Sequence, residues 1–129
     1  MAFGLQSDIP DRALPDALRT LLVQQAEALE NLLQYAQDTI DTLRANGDRS
    51  PQEQATRVDI LAQDIAERLT ILEDKRIQSE QRLEEFQGML GQQGNSILVY
   101  TVERVKEALD ANFMVAKERL DAIIHGQPP

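Results

Sequence analysis

Apolar residues recur along the first third of the chain at Leu22, Ala26, Leu29, Leu33, Ala36, Ile40 and Leu43, in steps of four and three without a miss. An α-helix turns once in about 3.6 residues, so this alternation keeps one apolar stripe on one side of a helix. A second stripe, Leu14, Leu21, Ala28 and Tyr35, lies beside the first. Two adjacent stripes predict a helix that touches two neighbours. Its start falls between Asp11 and Asp16, with Pro15 in the first turn, and Asn46-Gly47 stops it, so the helix is expected over about 11–45.

Ser50-Pro51-Gln52-Glu53 then has the form of a capping box with proline at the first helical position. A second helix over about 51–90 follows, its seam reading Val58, Ala62, Ile65, Leu69, Leu72, Arg76, Ser79, Leu83, Phe86, Leu90. Gly88, Gly91, Gly94 and Asn95 are expected to break it, and Asn95 or Ser96 to cap a third helix over about 96–125. That helix carries Leu98, Val102, Val105, Leu109, Phe113, Ala116, Leu120 and Ile123 on one face. The run from Ile97 to Val102 is β-prone, but a lone strand has nothing to pair with, so it is assigned to the helix.

Three long amphipathic helices with tight connections predict an all-α fold: a single domain over 1–129, forming an antiparallel up-down-up three-helix bundle with coiled-coil-like helices. The same seams could also build an extended hairpin that completes its core by dimerising. The double stripe on the first helix favours the closed bundle. Residues 1–10 read as a flexible lead and 126–129 as a tail.

Two seam positions of the second helix, Arg76 and Ser79, are polar, and Asn112 is polar on the inner side of the third. If the chain reverses near residue 93, Arg76 lies level with residue 110 and Asn112 with residue 74. A buried polar layer of Arg76, Ser79 and Asn112 is therefore expected, of the kind that fixes register in coiled coils. The alternative is that Arg76 carries its head out to solvent past Asp110 or Asp74.

Other apolar residues point away from the seams. With Val58 set at zero and about 100° per residue, Ile60 and Ile71 fall near 200° and 220°, opposite the core. Tyr100 and Met114 fall opposite the seam of the third helix. These four, Ile60, Ile71, Tyr100 and Met114, are the candidate partner-contact residues, and Asp64, Glu67 and Lys75 surround the isoleucines with charge.

The formal charge is −9. Acidic and basic residues number eight and four over 1–50, nine and five over 51–95, and five and four over 96–129, so no segment is basic. Nucleic acids and anionic membrane surfaces both demand basic patches, and both partners are disfavoured. Peripheral membrane binding through Phe3, Leu5 and Ile9 meets the same objection. There is no cysteine, no signal-like start and no apolar run of spanning length, which makes the cytoplasm the expected location.

Catalytic motifs are missing. The only histidine, His125, sits at a helix end, so neither a dimetal bundle nor a phosphorelay helix is indicated, and no phosphate loop or nucleophile elbow occurs. With three Phe, two Tyr and no Trp there is little material for a cofactor pocket, and none is expected. The sequence therefore predicts a non-catalytic protein-interaction module, an adaptor, scaffold or small acidic binding factor whose protein partner it does not name. A self-assembling, oligomeric coiled-coil protein is the alternative.

Overall fold

The computed structural model describes residues 3–12, 14–47 and 49–126, and among them the chain forms three α-helices: α1 (Asp16–Ala45), α2 (Pro51–Gln92) and α3 (Ser96–His125). Each helix packs against both others, in the expected up-down-up order. Residues 1–2 of the lead and 127–129 of the tail lie outside the described residues.

Local chemistry sets the boundaries. α1 begins later than residue 11, because a residue preceding proline is disfavoured from helical geometry and Leu14 stands before Pro15. Ahead of α1 the Leu14 N–H donates to the Asp11 carbonyl at 3.1 Å. At the start of α2 the Ser50 hydroxyl accepts from the Glu53 N–H at 3.2 Å. Gln54 reaches back from there, its amide donating to the carbonyls of Leu43 at 3.0 Å and Asn46 at 2.9 Å, which closes the end of α1.

Gly88 and Gly91 do not break α2, which runs on to Gln92. Glycine costs a helix interior only about 1 kcal/mol, and the buried Leu83 and Leu90 anchor these last turns in the core. The reversal falls on Gly94, at φ +74°, a left-handed conformation that glycine adopts without steric cost. Asn95 then caps α3, accepting from the Leu98 N–H at 3.3 Å.

Two apolar clusters stack along the bundle. One joins Leu29, Leu33, Ala36 and Ile40 to Leu61, Ile65, Phe113 and Leu120; the other joins Leu18 and Leu22 to Leu83, Leu90, Val102 and Leu109. Full burial of each such aliphatic side chain contributes about 1.5–3 kcal/mol. The three helices share this burial unequally. α1 and α3, each of 30 residues, bury eight and ten. α2, with 42 residues, buries only Leu61, Ile65, Leu83 and Leu90.

Within the segment expected as a flexible lead, residues 3–10 lie against the helices. Leu5 and Ile9 are only 7% and 4% exposed, each packed into one of the two clusters. Gln6 bonds to Asn112 and Asp11 to Thr101, so the lead runs antiparallel to α3. Five extended residues span about 16 Å, as do eleven helical ones. The lead is thus an extended strap across α1 and α3, further tied by Arg19 to Asp8 and by Arg104 to Asp11 at 3.7 Å. Its apolar residues are taken up by the core, which leaves Leu5 and Ile9 unavailable to a membrane surface.

Candidate functional site

The main stripe of α1 is buried, but the second stripe is not closed over. Leu21 and Ala28 are half-buried and Tyr35 is 38% exposed, and all three line an open groove between α1 and α2. One end of the groove is a cavity of about 280 Å³ walled by Leu21, Ala28 and Leu29 of α1 and by Leu72, Arg76 and Ser79 of α2, with Leu109 and Phe113 of α3 also lining it. A second hollow, also about 280 Å³, shares Ala28 and Leu72 and extends to Leu32, Tyr35, Arg68 and Ile71. From Leu21 to Tyr35 the groove follows α1 for about 21 Å at 1.5 Å per residue.

The reason for the cavity is in the α2 seam, which at this height holds Arg76 and Ser79 where apolar residues would fill the space. Ser79 is short, and Arg76 turns toward α3. Its Nη1 donates to Glu80 at 2.6 Å and also to Asp110, while the guanidinium carbon lies 5.0 Å from the centre of the Phe113 ring. Its Nε–H is buried without a hydrogen-bond acceptor. Burial pushes the Glu80 carboxyl up to about 7, aided by a hydrogen bond with Asp110 and the charge of that carboxylate, against the opposing pull of Arg76 and Lys106. Two carboxyl groups here share one cation.

At the other end, Asp64 joins the helices. It accepts from the Tyr35 hydroxyl at 2.8 Å and from Arg68 Nε at 3.0 Å, and the Arg68 guanidinium lies 4.6 Å from the Tyr35 ring centre. These two hydrogen bonds, Tyr35 first, hold the Asp64 carboxyl below its ordinary range. The bond to Asp64 raises the Tyr35 phenol.

The charged residues that line the groove are all cations, two of them, Arg68 and Arg76, paired with carboxylates just outside it. Arg68, Lys75, Arg76 and Arg82 line it, and no carboxylate does among the described residues. Lys75 and Arg82 take part in no ion pair among the described residues. The arrangement is an apolar stripe of α1 facing an edge of α2 on which Lys75 and Arg82 stand beside Ile71 and Leu72, suited to burying one side of an amphipathic ligand while pairing its anionic edge.

The residues singled out from sequence are scattered over the surface. Ile71, 58% exposed, edges the groove beside Tyr35. Ile60, 64% exposed, stands apart in a shallow hollow with Ser50, Glu53, Thr56 and Arg57. Met114 lines a depression between α2 and α3 with Ala62, Ala66 and Leu69, and Tyr100 is exposed on the second turn of α3. Ile60, Ile71 and Met114 thus line three different hollows.

Nor do Arg76, Ser79 and Asn112 form one network. Asn112 is buried, and its amide bonds to the Gln6 backbone and to Gln25 Oε1 at 3.1 Å, whereas Arg76 is held by Glu80 and Asp110. The level assigned to Arg76 is right, since it meets Asp110. The side chain stops there, 17% exposed and held between Glu80, Asp110 and the Phe113 ring, so it neither joins a shared layer nor runs out to solvent.

In the sequence Tyr35 stands out only as a member of a stripe, and Gln25, Arg68 and Arg82 do not stand out as site residues. A signal existed. Arg68, Lys75 and Arg82 are spaced by seven, as are Leu21, Ala28 and Tyr35, and equal heptad spacing on two antiparallel helices lays the two sets along facing edges. Among the described residues no group of three His, Asp or Glu could hold a metal ion, and no helix is long and apolar enough to cross a membrane. Comparison with protein-family models, with curated proteins and with solved structures finds no match to this chain.

Proposed function

We propose that this chain is a non-catalytic protein-interaction module, a small helical adaptor whose contact surface is the α1–α2 groove. The observation that carries this reading is the half-covered second stripe of α1, Leu21, Ala28 and Tyr35, set opposite a helix that buries four of its 42 residues. In a closed bundle such a stripe is covered by a neighbour. Here the neighbour stands off around Arg76 and Ser79, and the missing contact is what a partner supplies.

A photo-cross-linking amino acid at Ala28 or Ile71, in the full chain exposed to extract of its native cells, tests the reading. The expected result is a discrete protein adduct from these two positions and none from Tyr100, on the far part of α3. Equal labelling from all three, or none from the groove, would count against it.

A second reading, self-assembly, is favoured by the two exposed isoleucines. Ile60 and Ile71 lie eleven residues apart on one side of α2, about 16 Å along the axis, within reach of one helix of another copy. Sedimentation over a wide concentration range separates the two readings, because only an assembler grows with concentration.

A further inference from the structure

The occupant of the groove can be specified by its chemistry. We infer that the α1–α2 groove receives an amphipathic helix of another protein, one that presents an apolar face to α1 and a row of carboxylates to α2. This rests on the reading of the chain as a protein-interaction module and says what kind of partner that module takes.

Charge complementarity is the first ground. The chain carries 22 acidic against 13 basic residues, yet cations line the groove and no carboxylate does among the described residues. Arg68, Lys75 and Arg82 recur at seven-residue steps, about 10 Å apart on one edge of α2, which is the repeat of a helix laid alongside. Arg68 is already committed to Asp64, but Lys75 and Arg82 have no ion-pair partner among the described residues, and the buried Arg76 Nε–H lacks an acceptor. Unlike charges facing each other across an interface fix partner and register more than they add affinity. The net charge of −9 disfavours an acidic partner over the surface at large, whereas this edge offers such a partner two exposed cations and an apolar groove beside them.

Backbone satisfaction is the second ground. Both walls are α-helices whose own N–H and C=O groups are paired along the helix, so an extended peptide in the groove would find no ladder to join and would bury unpaired amides. A helix brings its hydrogen bonds with it. The run from Leu21 to Tyr35 accommodates about 15 helical residues, roughly four turns.

The test uses full-length protein and two synthetic helical peptides of about 15 residues, each with Leu on one face, flanked in one by Glu and in the other by Lys. Binding is followed by fluorescence anisotropy at low and high salt. The Glu peptide is expected to bind, to weaken with salt, and to lose roughly tenfold or more in affinity to the exposed double variant K75E/R82E. The Lys peptide is expected not to bind. Should the reversed charges disturb folding, as judged by circular dichroism, K75Q/R82Q replaces that variant and is expected to weaken binding in the same direction.

Equal binding of both peptides, or affinity unchanged by the variant, would overturn the inference. Dimerisation of the chain alone that K75E/R82E abolishes would also overturn it, making the occupant a second copy. Cross-links from Ala28 or Ile71 to a native protein, with no binding of the Glu peptide, would leave the interaction module standing and remove the acidic helix.

Discussion

The side-chain amide of Asn112 clasps the backbone of Gln6: the Gln6 N–H donates to Asn112 Oδ1 at 2.8 Å and Asn112 Nδ2 donates to the Gln6 carbonyl at 2.7 Å. A buried α3 side chain thus satisfies both polar groups of a strap residue 106 positions away, and its second Nδ2 hydrogen goes to Gln25, which in turn donates to the Leu109 carbonyl at 2.8 Å. Asn112→Leu removes these partners while leaving the Gln6 amide in place. The expected loss is about 1–3 kcal/mol, read by denaturant titration, with faster proteolysis within residues 3–12. Unchanged stability would mean that the clasp contributes nothing.

Leu5 and Ile9 hold the same strap by burial. Ile9→Ala removes three carbons from a buried site at the end of the bundle beyond α1, and is expected to cost about 2 kcal/mol, at the low end for large-to-small core changes because the strap can settle inward. Chemical denaturation of this variant checks it. A loss below about 0.5 kcal/mol would be the result for a surface residue.

Glu80 gives stability a pH dependence of unusual sign. Its folded-state pKa, about 7, lies above the ordinary value of 4.5, so the folded chain holds a proton that the unfolded chain has released. Its contribution is fully present below pH about 4.5 and is lost as pH rises through about 7. The melting temperature is expected to fall between pH 5 and 8 in the wild type, and Glu80→Gln, which keeps the contact with Arg76 but cannot ionise, is expected to remove that part of the fall. A variant with the wild-type profile would assign the fall to other groups.

Ile60 and Ile71 are both well exposed and only Ile71 lines the groove. Each change to Glu is expected to leave stability within about 0.5 kcal/mol. Ile71→Glu should weaken the Glu-flanked peptide in the anisotropy assay and Ile60→Glu should not. Equal effects from both would place the contact along the outer face of α2 rather than in the groove.

Much of this fold is written in short-range pattern. Steps of four and three along α1, α2 and α3 specify the helices and their inner faces, and Ser50, Gly94 and Asn95 mark ends, because caps and periodicity depend on residues within one turn of each other. Three amphipathic helices joined by short turns then have few ways to pack. Tertiary contact alone decided the rest. Nothing near Leu5 or Ile9 in sequence says that α1 and α3 leave room for a strap, and nothing near Asn112 says that its partner is Gln6 and not Arg76. The second stripe of α1 was visible, but whether α2 would cover it depended on Arg76 turning to Asp110, 34 residues on, and leaving the groove open. Periodicity fixes which side of a helix is apolar; what that side meets is set by the shapes and charges of residues brought close only when the chain has folded.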